Sequence, residues 1–271
     1  MAANMSTQLY AFEQNFNDVH WVHWTEVTGV PIAIAASVVY VFVIFGLQHF
    51  MASRDRKELR IPLIVWNMCL AAFSIVALFR MLVSFRGVMS SEDGGWHYAI
   101  CSKDHFNSEK VSGLWLFLFT LSKLPELGDT VFIGLRKSNL IFLHWYHHIL
   151  TVCYTFWGYA DRNSTAFVCT IMNLAVHSLM YSYYALRAAR IKVPRIGAMA
   201  ITSMQLLQMV AGTWIYYYVY KVHSRQEKCG ISVTQWRVGL LMYVSYLILF
   251  ANFFYQVYVA KKPRKPQIKR D

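Results

Sequence analysis

Apolar stretches long enough to cross a lipid bilayer constrain this chain more than any other feature. A helix needs about 20 predominantly apolar residues to cross about 30 Å of hydrocarbon. Seven stretches qualify, at 31–50, 62–85, 112–135, 140–160, 165–186, 197–220 and 236–259. The chain is also 56% hydrophobic and only 15% charged, which is typical of a protein that crosses the membrane repeatedly. We therefore predict an all-α polytopic membrane protein with seven transmembrane helices.

The sequence indicates one membrane domain over residues 1–271. It comprises an N-terminal segment (1–30), a helical bundle (31–259) and a basic tail (260–271). We find no internal repeat and no connection long enough to form a second domain. Residues 1–29 lack the basic region and unbroken apolar core of a cleavable signal peptide, so the spans themselves must direct insertion.

Lys and Arg residues orient the bundle. The tail and the connections on its side hold about twice as many of them as the opposite side, and cytoplasmic loops carry such an excess. We predict a cytosolic C-terminus and a lumenal N-terminus. Asn4 and Asn163 begin glycosylation sequons on the lumenal side, and Asn4 is the candidate because Asn163 lies very near the membrane.

The net charge of +12 has two interpretations that the sequence leaves open. One is membrane topology together with anionic lipid headgroups. The other is a cytosolic surface that binds a ligand carrying several phosphates. Because the basic residues concentrate at one membrane face, we expect no nucleic-acid partner.

The five cysteines divide by the predicted topology. Cys69, Cys153 and Cys169 lie within spans, where small core residues are expected. Cys101 and Cys229 both fall in lumenal connections, where an oxidising compartment would allow them to pair. We predict a disulfide between these two residues.

Four histidines lie inside the apolar stretches. His144, His147 and His148 share one predicted span, and His177 lies in the next. An ionisable side chain in hydrocarbon is costly unless it faces the protein interior. Residues at i, i+3 and i+4 share a helix face, so we predict a cluster of imidazoles inside the bundle.

Polar side chains at helical spacing recur in the neighbouring spans. They could line the same interior, hydrogen-bond helices together, neutralise one another or anchor the membrane interface. The residues concerned are Lys123, Glu126 and Asp129; Asn173, Tyr181 and Tyr184; and Thr202, Gln205 and Gln208.

Two chemistries suit the imidazole cluster. An i, i+4 histidine pair can chelate iron or zinc, as in membrane desaturases and hydroxylases, but only one histidine box is present and the other histidines are scattered. Alternatively, a neutral imidazole can attack an activated acyl group, and the resulting acyl-imidazole can transfer it again. Too few ligands converge for a di-iron centre, so we expect no bound metal, with a mononuclear site on three of the four intramembrane histidines as the open alternative.

Four motifs together resemble the very-long-chain fatty acid elongases, the membrane 3-oxoacyl-CoA synthases of the endoplasmic reticulum. They occur in order on four successive predicted spans, and the apolar pattern is similar over nearly the whole chain. They are KLPELGDT (123–130), HWYHH (144–148), NLAVHSLMYSYY (173–184) and TSMQLLQ (202–208).

The resemblance implies condensation of an acyl-CoA with malonyl-CoA, which releases CO₂ and CoA and gives a 3-oxoacyl-CoA two carbons longer. No cofactor is expected. The implied catalytic residues are His147 as acyl acceptor, supported by His144, His148, His177 and Asn173. An acyl tunnel between the helices would then bind substrate, and its implied residues are Lys123, Asp129, Tyr181, Tyr184, Gln205 and Gln208.

The basic cytosolic face gains a role under the same resemblance, since CoA carries several phosphate charges. The candidates for holding it are Arg136, Lys137, Arg187, Lys261, Lys262 and Arg264. The resemblance also implies the endoplasmic reticulum membrane and association with the reductases and dehydratase of the elongation cycle, and it leaves homo-oligomerisation open. The motifs look most like the branch acting on saturated and monounsaturated chains near sixteen carbons.

A receptor is the alternative from a different class, because receptors also have seven spans and an outside N-terminus. That interpretation requires neither an imidazole cluster within the membrane nor a basic face suited to CoA. It also leaves the ordered motifs without a role. Turnover of acyl-CoA with release of CO₂ would distinguish the enzyme from a binding protein.

Overall fold

The computed structural model describes residues 10–91, 94–107 and 110–260, and all regular secondary structure within these ranges is helical. The helices in chain order are α1 (Ala11–Gln14), α2 (Asp18–Trp24), α3 (Val30–Ala52), α4 (Arg60–Ser90), α5 (Trp96–Cys101), α6 (Asp104–Asn107), α7 (Lys110–Glu126), α8 (Gly128–Leu135), α9 (Phe142–Ala160), α10 (Ala166–Ala188), α11 (Arg195–Ser224) and α12 (Val233–Phe254). A π-helical turn at Thr25–Gly29 joins α2 to α3, and another at Tyr255–Val259 extends α12.

Five helices within the described ranges are long and apolar enough to cross a membrane. They are Asp18–Ala52, Arg60–Ser90, Ala166–Ala188, Arg195–Ser224 and Val233–Val259. The prediction of an all-α membrane protein is thereby confirmed, whereas the count of seven spans stays a prediction. The third and fourth predicted stretches correspond to the α7–α8 pair and to α9. The break between α7 and α8 leaves α7 with 17 residues and α8 with 8, so each alone is shorter than a span, whereas the histidine box lowers the hydropathy of α9.

Long helices pack in pairs around the polar interior. α4 packs along α10, α11 packs along α12, and α7 contacts both α4 and α9. α3 packs against α8 and α9 and leaves large apolar side chains such as Phe42 (74% exposed) on its outer surface. In a membrane these outer side chains would contact lipid.

A break separates α7 from α8. Pro125 lies in the last turn of α7, and a proline in a helix removes a backbone donor and clashes with the preceding turn. After the break Gly128 packs on Trp66, because a Cβ at position 128 would lie 2.9 Å from Trp66 Cζ2. Consequently Lys123 and Asp129 lie on different helices, and the single polar stripe expected for residues 123–129 is divided.

The two ends of the bundle differ in character. At the disulfide end, Cys101 is bonded to Cys229, the pair that the sequence predicted. Gly230 N–H donates to the Cys101 carbonyl at 2.7 Å, and Ser164 N–H donates to the Gly230 carbonyl at 3.1 Å. The opposite end, called the basic end here, carries Arg56, Arg136 and Arg187 around one pocket.

Candidate active site

The histidine box of α9 faces a cavity of about 160 Å³ inside the bundle. His144 and His148 have ring centroids 4.5 Å apart, and His147 and His148 have theirs 5.9 Å apart. His177 of α10 lines the same cavity. Three imidazoles on one face of α9 therefore share the cavity with His177. The i, i+3, i+4 spacing predicts that shared face.

Polar side chains from four other helices complete the wall of this central cavity. α8 contributes Asp129, and α11 contributes Gln205 and Gln208. The remaining polar wall residues from α7 and α10 are Glu126, Asn173, Tyr181 and Tyr184. Thr202 instead donates to the Ala198 carbonyl and contacts Tyr258 Oη at 3.2 Å.

The four imidazoles differ in their hydrogen bonds. His144 Nε2 lies 2.9 Å from Thr130 Oγ1, which in turn lies 2.6 Å from Tyr40 Oη. His177 Nε2 lies 3.2 Å from Asn173 Nδ2. By contrast, neither His147 nor His148 has a side-chain hydrogen bond among the described residues, and Nδ1 of His147 is buried without a partner. The His147 ring packs on Tyr246 with centroids 4.6 Å apart.

A buried ion pair joins Glu126 of the cavity wall to Lys123 behind it. Lys123 is 2% exposed, and its Nζ donates to Glu126 Oε1 at 2.6 Å and to Asn173 Oδ1 at 3.2 Å. Glu126 Oε2 lies 3.8 Å from His177 Nδ1. Lys123 is not among the residues that line the central cavity. In the described structure it contacts the neighbours of the imidazoles and not the cavity itself.

Asp129 occupies the junction between the central cavity and a second, vestibular cavity of about 380 Å³. Its carboxylate accepts from Trp66 Nε1 at 2.6 Å and from Tyr181 Oη at 2.8 Å. His144 and Tyr184 also line both cavities. These three side chains therefore form the walls of a throat.

The vestibule continues to the basic end. Arg136 and Arg187 line both the vestibule and an outer pocket of about 210 Å³. Cations that the sequence analysis did not single out also line that pocket, namely Arg56, Lys57, Arg60 and Arg190. Only their position in basic connections signalled them. Neither Arg136 nor Arg187 has a side-chain partner among the described residues.

Lys137, a further predicted CoA ligand, has partners outside this pocket. Lys137 Nζ donates to the carbonyls of Ala52 at 3.1 Å and Arg54 at 3.0 Å, so it closes the C-terminal end of α3. Lys261, Lys262 and Arg264 fall outside the described residues.

Of the two glycosylation sequons, Asn4 also falls outside the described residues. Asn163 is 1% exposed, and its Oδ1 accepts from Thr165.

An apolar chamber of about 80 Å³ extends from the central cavity towards the disulfide end. His147, Asn173, Gln208 and Met209 line both spaces, so they mark the boundary. Polar contacts lie at its far wall, where Tyr154 Oη and Tyr216 Oη are 2.8 Å apart.

No group of three His, Cys, Asp or Glu side chains within the described ranges is arranged to hold a metal ion. The geometry therefore does not favour the metal-dependent alternative. It favours an organic reaction at an imidazole that lies between a polar and an apolar space.

Comparisons with known proteins find a matching family and similar chains. The sequence profile described as the ELO: GNS1/SUR4 family matches residues 26–266. The very long chain fatty acid elongase 6 of Drosophila melanogaster is 47% identical over 225 residues, covering 82% of this chain and 70% of the relative. The very long chain fatty acid elongase 6 of Homo sapiens is 39% identical over 257 residues, covering 95% of each. The long chain fatty acid elongase 1 of Caenorhabditis elegans is 38% identical over 231 residues, 85% of this chain and 79% of the relative.

Proposed function

Since this chain belongs to the ELO: GNS1/SUR4 family and is an enzyme of fatty acid elongation, we propose that it condenses a long-chain acyl-CoA with malonyl-CoA through an acyl-imidazole on His147. The product is a 3-oxoacyl-CoA two carbons longer. No cofactor takes part besides the two CoA substrates.

The observation that carries this proposal is the position of His147. It lines both the polar central cavity and the apolar chamber, where the head and tail of an acyl chain would separate. Within the described residues neither His147 nor His148 has a side-chain hydrogen bond, whereas His144 and His177 each have a partner. Of His147 and His148, only His147 lines both spaces. An imidazole lone pair that no neighbour engages can attack a thioester carbonyl.

Two bond exchanges complete the reaction. In the first, His147 attacks the acyl thioester carbonyl, the C–S bond breaks, and CoA leaves as the thiol with the proton that the His147 ring gives up. In the second, malonyl-CoA loses CO₂, its carbanion attacks the acyl carbonyl as the C–N bond to His147 breaks, and the released imidazole takes up one proton from solvent. His144, His148 and His177 surround the negative charge that forms in both steps, and Asn173 and Gln208 offer amide N–H donors at the boundary.

The order of the cavities supports the direction of substrate entry. The outer pocket shares Arg136 and Arg187 with the vestibule, which in turn shares Asp129 and His144 with the central cavity. Phosphates of CoA would bind the outer cations. The thioester would then pass the throat, and the acyl tail would enter the chamber beyond His147. This path is the acyl tunnel that we propose.

The same arrangement supports a topology. The basic end would face the cytosol and the disulfide end the lumen of the endoplasmic reticulum, since lysine and arginine mark cytosolic loops and disulfides form in oxidising compartments. Seven crossings follow when the α7–α8 pair and α9 also span the membrane. α9 would span with its imidazoles facing the interior and away from lipid.

The chain length is proposed from the motifs, which look most like the branch acting on saturated and monounsaturated chains. The far wall of the apolar chamber carries the hydrogen-bonded pair Tyr154 and Tyr216, which an apolar chain end would not displace without loss of that bond. We propose saturated and monounsaturated chains near sixteen carbons as substrates. Reductases and a dehydratase must then act on the 3-oxo product, and these are the proposed partners.

Purified protein should be incubated with palmitoyl-CoA and malonyl-CoA labelled at its free carboxyl carbon, without NADPH or added metal. We expect labelled CO₂ and 3-oxoacyl-CoA in equal amounts, and release of about one CoA per enzyme from acyl-CoA alone, as covalent catalysis requires. Acyl-CoAs of several lengths establish the preference.

His147→Ala should abolish both the release of CoA and the condensation. His49→Ala is the matched control, because it removes an exposed histidine from α3. Near-normal condensation by folded His147→Ala would overturn the assignment of His147. Failure of the unaltered, folded enzyme to release CO₂ at every chain length would overturn the condensing reaction.

A further inference from the structure

Lys123 is enclosed between α7 and α10 and has no contact with the central cavity. Its three ammonium protons have three neighbours: Glu126 Oε1 at 2.6 Å, Asn173 Oδ1 at 3.2 Å, and the face of the Phe119 ring, whose centroid is 4.1 Å from Nζ. Burying a lysine is costly, even beside a carboxylate. Pairing with Glu126 explains how the charge is tolerated, but it does not explain the contact with Asn173.

The contact with Asn173 determines which way its amide points. A lysine ammonium only donates hydrogen bonds, so the amide oxygen must face Nζ. The amide NH₂ then faces His177 Nε2, which lies 3.2 Å from Nδ2. With the amide reversed, an NH₂ group would meet the ammonium, and two donors would face each other.

The amide in turn determines the tautomer of His177. An NH₂ group only donates, so His177 Nε2 must accept with its lone pair. The ring proton of the neutral imidazole is therefore on Nδ1, the nitrogen that lies 3.8 Å from Glu126 Oε2. A proton on Nε2 would oppose the amide donor.

We propose that Lys123 is a positioning residue that fixes the Asn173 amide and, through it, holds His177 neutral with its proton on Nδ1. The functional consequence rests on the condensing reaction proposed above. Asn173 lines both the central cavity and the apolar chamber beside His147. One amide N–H is directed to His177, so the other is the donor left for an oxyanion at His147. Reversal of the amide would instead bring its oxygen towards that negative charge.

The tautomer can be measured directly by NMR of [¹⁵N]histidine-labelled protein in detergent micelles. Protonated and unprotonated ring nitrogens have well-separated ¹⁵N shifts, and His177→Gln identifies the signals by their loss. The unaltered protein should show His177 with its proton on Nδ1. A His177 proton on Nε2 would overturn the proposal at once.

Two variants test the role of Lys123. Lys123→Met/Glu126→Gln removes both charges together, so no unpaired carboxylate remains, and the amide is free to reverse. The His177 signals should shift to a mixture of tautomers. In addition, kcat should fall roughly tenfold to a hundredfold with KM for acyl-CoA unchanged, as expected when one oriented donor is lost. Asn173→Asp keeps the acceptor for Lys123 but removes the NH₂ group, so the His177 proton should move to Nε2.

Ser122→Ala is the matched control. Ser122 Oγ contacts the same Glu126 Oε1 at 3.2 Å but not Asn173, so its removal should leave the His177 signals unchanged. Each variant is first shown to be folded by its melting temperature. Folded variants whose His177 signals match the unaltered protein would overturn the role of Lys123. Because this readout needs no turnover, failure of the condensing reaction would not alter it.

Discussion

The two ends of the bundle are built from charged residues in opposite ways. At the disulfide end, the buried Glu13 carboxylate accepts four hydrogen bonds, two from Arg80 at 2.6 and 2.8 Å and one each from Trp115 Nε1 and Tyr10 N–H at 2.9 Å. At the basic end, Arg136 and Arg187 are exposed and have no side-chain partner among the described residues.

This difference indicates what each end does. A carboxylate with every acceptor position filled stabilises one arrangement of chain, and α1 thereby joins α4 and α7. Cations without partners gain most when a ligand brings the opposite charge. The disulfide end is therefore a fixed closure, and the basic end is a binding surface.

The largest effect is expected from breaking the buried ion pair between Glu13 and Arg80 at the disulfide end. Arg80→Met would leave Glu13, which is 0% exposed, as a buried charge without its cation. Such a loss typically costs about 3–5 kcal/mol in the free energy of unfolding. The melting temperature in detergent should fall clearly.

Arg86→Met is the control, since it makes the same substitution at an exposed position of the same helix. Equal melting temperatures for both variants would show that the ion pair does not stabilise this end.

Removing cations from the basic end should weaken the binding of acyl-CoA and leave the melting temperature unchanged. A hydrogen bond to a charged group contributes about 1.5–3 kcal/mol. Arg136→Gln and Arg187→Gln should therefore each raise KM for acyl-CoA roughly tenfold, more strongly at low salt, with the same melting temperature. Lys228→Gln, which removes an exposed cation outside the pocket, should leave KM unchanged. A uniform salt effect in all three variants would indicate general surface charge and no specific site.

The sequence predicted this contrast only in part. The apolar stretches located the long helices, and the spacing of His144, His147 and His148 predicted their shared face. Spacing along one helix does not determine which neighbour that face meets. Thr130 beside His144, Trp66 beside Asp129 and Arg80 beside Glu13 were therefore missed, since the last two pairs are separated by 63 and 67 positions.

The polar residues between positions 123 and 129 were also misjudged, for a local reason. Lys123, Glu126 and Asp129 were treated as one stripe because their spacing fits a continuous helix. However, α7 ends at Glu126, before Asp129, because of Pro125 and the close packing of Gly128 on Trp66. Lys123 then contacts Asn173, while Asp129 lies at the throat.

A smaller effect is expected at the far wall of the apolar chamber, towards the disulfide end, where that wall would limit the length of the acyl chain. Gly158 lines the chamber, and an added Cβ would lie 3.7 Å from Asn163, an ordinary contact. Gly158→Ala should therefore fold normally and shorten the space by about one methyl group. A methylene contributes about 0.8 kcal/mol, so kcat/KM for the longest accepted acyl-CoA should fall about fourfold relative to shorter chains. Equal losses at all lengths would argue against a length limit there.

The smallest effect is expected in the pH dependence of stability at the disulfide end. Burial alone would raise the pKa of Glu13, but hydrogen bonds from Arg80, Trp115 and the Tyr10 backbone outweigh it and hold the pKa below its ordinary value. The unfolded chain therefore binds a proton at a higher pH than the folded one. Stability from this group is complete above the ordinary glutamate range and is lost as the pH falls through the lowered pKa. Glu13→Gln should melt at a lower temperature near neutrality but lose less stability on acidification. Glu26→Gln, at an exposed position, should retain the slope of the unaltered protein. Parallel slopes for all three proteins would mean that Glu13 is not the group that links this closure to pH.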